Sequence, residues 1–158
     1  MMNANNAYFE NLKRIGHEWE AARVERKNRK QQIIDTLGWD SDELKAWYEE
    51  DAAAKFPFES GVSKAYRAWA QSLSRKEDEL EMDDFLWDRE VSDFVDTLRR
   101  AGIDTFVYTN RSAAVMENLH ASAAEGCRLK GLCTITRRET RWGDEEPTGV
   151  RSIRSSLN

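Results

Sequence analysis

The chain has 158 residues, of which 40% are hydrophobic and 34% are charged, and its formal net charge is −5. This composition is typical of an ordinary folded domain, and with only 2 prolines and 8 glycines it excludes collagen-like and low-complexity chains. No apolar run is long enough to cross a bilayer and no apolar leader opens the chain, so we expect a soluble cytoplasmic protein.

Four helices are predicted in the first two thirds of the chain, because apolar residues recur there every three or four positions. Their predicted ranges are residues 6–37, 41–55, 60 to about 80, and 84–101. Gly38 and Gly102 follow the first and the last of these helices, at positions where glycine commonly ends a helix.

After Gly102 the pattern changes to β-branched and aromatic residues, which are typical of strands. The predicted elements are a strand at 103–109, a helix at 113–125, a strand at 129–137, a polar loop at 138–147 and a strand at 150–157. The predicted fold class is therefore α+β, with about four N-terminal helices followed by a small β-α-β-β unit. We expect a helical region over 1–82 and an α/β region with a three-stranded sheet over 83–158.

The six tryptophans fall into two groups by position. Four lie on apolar helix stripes and are expected in the core: Trp19, Trp47, Trp69 and Trp87. Trp39 and Trp142 lie in predicted connections, where an exposed indole would suit a protein interface; the alternative is packing over the sheet edge. We therefore include Trp142 among the candidate partner-binding residues.

Negative charge is concentrated in residues 40–96, which hold 17 acidic and 7 basic residues. Its densest part, here called the acidic segment, contains six carboxylates: Glu77, Asp78, Glu79, Glu81, Asp83 and Asp84. A negative field repels phosphate and suits a basic partner, including a protein surface that normally holds DNA or RNA. The alternative interpretation is a solvated helix face.

The inventory of reactive residues gives no metal site, no cofactor site and no catalytic residue. Cys127 and Cys133 are six positions apart and His17 and His120 are far apart, so no zinc-type pair exists. A pair of Cys133 with His120 is conceivable, but any chain with two histidines offers such a pair. No glycine-rich nucleotide-binding loop occurs either.

A second candidate site lies where the strand at 103–109 gives way to the helix at 113–125. Asn110, Arg111 and Ser112 form this turn, and free backbone N–H groups at a helix start, together with Arg111, could bind an anion. The alternative is a capped turn with a surface arginine.

The order strand, Asn110 turn, helix ending near Gly126 and strand starting near Gly131 resembles the C-terminal part of the N-acetyltransferase (GNAT) fold. The resemblance covers about 50 residues. The glycine-rich acetyl-coenzyme A loop and the preceding strands of that fold have no counterpart here, so neither cofactor nor catalysis is implied.

Residues 84–154 are also similar to an uncharacterised family of small proteins common on plasmids and conjugative elements of gut Gram-positive bacteria. The segments that carry this similarity are 86–91 (LWDREV), 98–103 (LRRAGI), 108–112 (YTNRS), 126–127 (GC) and 131–137 (GLCTITR). The resemblance implies an accessory gene of a mobile genetic element, and such genes often act on host defence.

Three hypotheses follow. We favour a non-enzymatic protein-interaction protein, in its sharper form an anti-CRISPR or anti-restriction inhibitor whose acidic surface occupies the basic groove of a host nucleic-acid enzyme. The first alternative is a degenerate acetyltransferase-like protein. The second is a nucleic-acid-binding accessory protein that uses arginine and lysine patches, including the residues Arg26, Lys27, Arg29, Lys30, Arg137, Arg138, Arg141, Arg151 and Arg154.

Overall fold

The computed structural model describes residues 2–110, 127–141 and 144–157. Over these ranges the α+β fold class is confirmed. The elements in chain order are α1 (Ala7–Leu37), α2 (Asp42–Ala53), α3 (Ser60–Ser74), β1 (Leu80–Met82), α4 (Asp88–Arg100), β2 (Thr105–Tyr108), β3 (Cys127–Arg141) and β4 (Asp144–Leu157). The helix predicted over 113–125 lies outside the described residues.

Contacts divide the chain into two compact units, one formed by Met1–Phe9 with Glu59–Asn158 and the other by Glu10–Phe58. We call the first the sheet unit and the second the α1–α2 unit. Residues 59–82, which the sequence analysis assigned to the helical region, lie in the sheet unit because α3 packs on α4 and β1 joins the sheet.

The described strands form one sheet in the order β1-β2-β4-β3. β1 and β2 are parallel and α4 connects them, whereas β2 with β4 and β4 with β3 are antiparallel. The sheet thus has one strand more than the three predicted. The sequence predicts the end of a long third helix where the extra strand β1 lies, because three residues inside a charged segment show no strand periodicity. The helix ends earlier, at Ser74, and Lys76 adopts a φ of 57° that breaks it.

The prediction of a polar loop at 138–147 is wrong. β3 continues to Arg141, and β4 begins at Asp144, which is the register partner of Arg141. β4 pairs with β2 only through Ile153–Ser156, so the rest of β4 has β3 as its only neighbour among the described strands. A two-stranded ribbon of this kind need not alternate apolar and polar residues, because that alternation marks strands that lie on a core.

The core of the sheet unit lies between α3, α4 and the sheet. Phe94 of α4 meets Phe106 of β2 edge to face at 5.4 Å, and Phe9 stacks on Trp69 at 4.9 Å. Phe94 and Phe106 are both fully buried. Helices α3 and α4 approach closely at Gly61, where a Cβ atom would lie 2.4 Å from the carbonyl oxygen of Glu90.

The α1–α2 unit has a smaller core, in which Leu44 and Trp47 of α2 are buried. The indole of Trp47 donates a hydrogen bond to the carbonyl of Arg26 at 2.8 Å, and Ser41 caps α2 by accepting from the N–H of Leu44. Among the described residues, no helix is both long enough and apolar enough to span a bilayer.

Candidate functional site

The candidate site is the connection between β1 and α4, residues 83–87, which we call the β1–α4 loop. It follows the carboxyl end of β1, beside the carboxyl end of the parallel strand β2. In open sheets with parallel strands this edge is where ligands are usually bound. The loop contains the last two carboxylates of the acidic segment and ends at an exposed tryptophan.

Hydrogen bonds from β2 and the residues after it fix the loop backbone. The hydroxyl of Tyr108 donates to the carbonyl of Asp84 at 2.7 Å, and the amide of Asn110 donates to the carbonyl of Asp83 at 3.1 Å. Burial, together with the charge of Asp84, raises the pKa of the Tyr108 phenol above its ordinary value, so the hydroxyl stays a donor. The structure therefore brings Asn110 of the predicted anion site against the end of the acidic segment.

Lys64 of α3 holds the other side of the loop. Its ammonium donates to the carbonyl of Phe85 and to the carboxylate of Glu90, the latter at 2.7 Å. Glu90 in turn accepts from the N–H of Trp87 at 3.0 Å, at the start of α4. The Glu90 side chain is 4% exposed and that of Lys64 is 14% exposed, so this is a buried ion pair.

The pKa of Glu90 lies below its ordinary value because two effects act in opposite directions. Burial disfavours the charged form, but hydrogen bonds from Lys64, from the backbone of Trp87 and from Ser60, with the charge of Lys64, outweigh it. Glu90 is therefore a carboxylate at neutral pH, and it connects α3, the loop and α4.

The six carboxylates of the acidic segment do not form one continuous surface. Glu81 is buried in β1, where it accepts from the hydroxyl of Thr109 at 3.2 Å, and it is not available to a partner. Asp83 pairs with Arg75 at 3.1 Å and Asp84 pairs with Arg67 at 3.3 Å. Both aspartates remain partly exposed.

The other three carboxylates precede β1. Asp78 is exposed and Glu77 and Glu79 are half-buried. Asp78 and Glu79 line a groove of about 270 Å³ at the amino ends of β1 and β2, together with Trp69 and Asp104. The acidic segment is thus divided between the two ends of β1, which periodicity along the sequence did not indicate.

Trp87 is a residue of the candidate site whose predicted burial is wrong. It is 49% exposed rather than buried, because it precedes α4 instead of lying on its inner face. Phe85 meets its ring edge to face at 4.6 Å, and the guanidinium of Arg89 lies 5.3 Å from its centroid. The indole is therefore held in place while half of it faces solvent.

The remaining tryptophans agree better with their predicted positions. Trp47 and Trp69 are buried as expected, Trp19 is half-buried, and Trp39 is exposed. Trp142 lies outside the described residues, between the paired residues Arg141 and Asp144.

Arg111 and Ser112 also lie outside the described residues, so the anion site stays a prediction. Over the part of the chain that the structure describes, no three His, Cys, Asp or Glu side chains are grouped as a metal site. Cys127 and Cys133 both lie in β3, and their separation along one strand is too long for a disulfide between them.

Among the comparisons with known proteins, a family model matches the chain. The model of a family described as a domain of unknown function (DUF7698) matches residues 64–157. The match begins within α3 and includes the β1–α4 loop and the four described strands, but not the α1–α2 unit. Neither a curated protein nor a solved structure matches the chain.

Proposed function

This chain belongs to the DUF7698 family, and we propose that it is a non-enzymatic interaction protein that binds another protein through the β1–α4 loop. The observation that carries the proposal is Trp87, whose indole is half exposed on a loop fixed from two sides. Rigid, partly exposed aromatic residues are the anchors that contribute most to protein interfaces. A loop that is already ordered also loses little conformational entropy on binding.

The charges around Trp87 indicate a basic partner surface. Asp84 and Asp88 precede and follow Trp87 along the chain; Asp88 is exposed, and Asp83 and Asp84 are partly exposed. Arg67 and Arg75 pair with the aspartates of the loop from within the chain, and an arginine or lysine of a partner would have to share or replace them. We therefore expect charge to contribute to partner selection and association rate more than to affinity.

A finer form of the proposal concerns the kind of partner. A protein whose basic groove normally holds DNA or RNA would fit an acidic loop with an aromatic anchor, and binding there would inhibit it. The resemblance to proteins of mobile genetic elements supports a host defence enzyme as that partner, that is, an anti-CRISPR or anti-restriction role.

The test compares Trp87→Ala with Trp39→Ala, which removes an equally large exposed indole from the other unit. Each purified variant is immobilised, exposed to lysate of the native host and washed at low and at high salt. We expect one stoichiometric protein to be retained by the wild type and by Trp39→Ala but lost with Trp87→Ala. Retention by Trp87→Ala, or equal loss with both variants, would contradict the proposed surface.

The charge contribution is tested with Asp84→Lys and Asp88→Lys, with Glu43→Lys on the exposed face of α2 as the control of equal charge change. Glu81 is left unchanged, because a lysine at this buried position would disrupt the fold. We expect the two loop variants to weaken binding at low salt and the control to leave it unchanged. For the finer proposal, the identified partner should release bound DNA or RNA when the wild-type chain is added.

A further inference from the structure

The two edges of the sheet differ in how they are protected. At the β1 edge, the N–H of Glu81 donates to the hydroxyl of Ser72 at 2.9 Å, so a side chain of α3 occupies the hydrogen-bonding position of a further strand. β1 is also only three residues long. Short, covered edge strands of this kind do not accept another chain.

The opposite edge is β3, which has 15 residues. Its inner side pairs with β4 along nearly its whole length, and no strand among the described residues pairs with its outer side. In a regular antiparallel strand about half of the peptide groups are directed away from the existing partner. Within the described ranges, the outer side of β3 therefore offers a long row of backbone donors and acceptors.

The charge of β3 restricts what could add to this row. The strand contains five basic residues and one acidic residue, a net charge of +4: Arg128, Lys130, Arg137, Arg138, Arg141 and Glu139. Its partner strand β4 contains three acidic and two basic residues, a net charge of −1, so the two paired strands together keep a net charge of +3. A second copy of β3 would bring equal charges together and be repelled.

From this placement we propose that the outer edge of β3 binds an extended acidic segment of a partner protein by strand addition. Backbone hydrogen bonds to β3 would supply affinity, and glutamate or aspartate side chains beside the arginines would supply selectivity. This is a second interaction surface, and it does not depend on the proposed role of Trp87.

The probe is a fluorescein-labelled peptide of about twelve alternating glutamate and valine residues, a length that β3 can span. Fluorescence anisotropy with the full chain measures binding at low and at high salt, and hydrogen exchange locates it. We expect binding that weakens with salt and slower exchange of β3 amides. The same peptide N-methylated at alternate residues should bind at least tenfold more weakly, because it cannot donate its hydrogen bonds to β3.

The matched variants are Arg137→Glu with Arg138→Glu in β3, and Lys13→Glu with Lys27→Glu at exposed positions of α1, which change the net charge equally. The β3 variant should weaken peptide binding about tenfold and the α1 variant by less than about twofold. Trp87→Ala should bind the peptide as the wild type does, which separates this surface from the β1–α4 loop.

Four results with the peptide and DNA probes would overturn the proposal, and a fifth concerns self-association. They are the absence of peptide binding, equal binding of the N-methylated peptide, protection located outside β3, and preferential binding of duplex DNA at the same residues. Concentration-dependent self-association through β3 would also contradict it. The N-methylated peptide is tested on the wild-type chain, so the result does not depend on the β3 variant folding.

Discussion

Glu90 is the residue on which the geometry of the β1–α4 loop depends most. Its carboxylate accepts from Lys64 and from the N–H of Trp87, and it is almost completely buried. If Glu90 were removed, the ammonium of Lys64 would be left in a buried position with only the carbonyl of Phe85 as its described acceptor. Loss of one partner from a buried ion pair generally costs more than the pair contributes.

We predict that Glu90→Gln lowers the free energy of unfolding by about 1.5–3 kcal/mol at neutral pH, the range for hydrogen bonds to charged groups. The loss should depend on pH. Because folding lowers the pKa of Glu90 below its ordinary value of 4.5, the unfolded state binds more protons between these two values. The stabilisation is therefore present above pH 4.5 and is lost as the pH falls through the lower, folded-state pKa.

Urea unfolding of the wild type and of Glu90→Gln over a series of pH values measures this difference. The two stabilities should converge in acid. A difference that stays constant down to the acid limit of folding would show that Glu90 acts by packing rather than as a charged acceptor.

Gly61 and Gly16 lead to opposite predictions for substitution by alanine. A Cβ at Gly61 would lie 2.4 Å from the backbone oxygen of Glu90 and 2.9 Å from the Cβ of Asp93, and neither atom can move without shifting α4. A Cβ at Gly16 would meet only Phe58, at an ordinary 4.0 Å. We predict that Gly61→Ala destabilises the protein by about 1–3 kcal/mol or more, and that Gly16→Ala stabilises α1 by about 0.5–1 kcal/mol.

Thermal unfolding followed by circular dichroism distinguishes the two variants. A stabilising Gly61→Ala would mean that α3 and α4 are not in close contact at this position. A strongly destabilising Gly16→Ala would mean that the midpoint of α1 is more tightly packed than the 4.0 Å distance indicates.

Single residues of the candidate site could be identified from the sequence only in part. The aspartates of the loop and Asn110 stood out by charge and by position after predicted strands. The exposure of Trp87 and the burial of Glu81 could not be predicted from the sequence, because both depend on where β1 ends and α4 begins. A shift of a few residues in that boundary exchanges buried and exposed positions.

At the scale of elements, the β1–α4 loop is positioned by its neighbours rather than by its own sequence. Tyr108 of β2 is fully buried, and its hydroxyl reaches the carbonyl of Asp84. We predict that Tyr108→Phe costs about 1–3 kcal/mol of stability, the net contribution of two hydrogen bonds. It should also speed hydrogen exchange in the β1–α4 loop, because the hydrogen bonds that join the Tyr108 hydroxyl to the backbone of Asp84 and of Leu86 are lost.

Hydrogen exchange resolved by mass spectrometry checks this prediction, with Tyr66→Phe on α3 as a control that keeps the loop contacts intact. Faster exchange confined to the loop and to the start of α4 is the expected result. Unchanged exchange in Tyr108→Phe would show that Lys64 and Asn110 suffice to hold the loop.

Long amphipathic helices could be predicted from the sequence because their periodicity extends over many residues, and the ends of α1 and α4 coincide with Gly38 and Gly102. β1 could not be predicted in this way, because its three residues are stabilised by pairing with Phe106–Tyr108, far along the chain. The β3–β4 ribbon was underestimated for the same reason: its polar residues are held in strands by their register partners.

At the scale of the whole molecule, the family match and the compact units have different boundaries. The match covers residues 64–157, whereas the sheet unit also contains residues from the start of the chain. Phe9 is fully buried against Tyr66 and Trp69, and the amide of Asn6 donates to the carbonyl of Ala101 at 2.8 Å, at the end of α4. The N-terminal segment is therefore an integral part of the unit that carries the candidate site.

We predict from this that Phe9→Ala lowers the free energy of unfolding of the sheet unit by about 3–5 kcal/mol, the range for removing a buried phenylalanine ring. Val24→Ala, at an exposed position of α1, should change stability by no more than about 0.5 kcal/mol. Urea unfolding followed by tryptophan fluorescence measures the stability of both variants, and Trp69 should report the lost stacking in the folded state.

A small effect of Phe9→Ala would show that the matched region holds its core without the N-terminal segment. The expected large effect would mean that a chain trimmed to residues 64–157 presents Trp87 on a weakened scaffold, so binding experiments on the β1–α4 loop require the full chain.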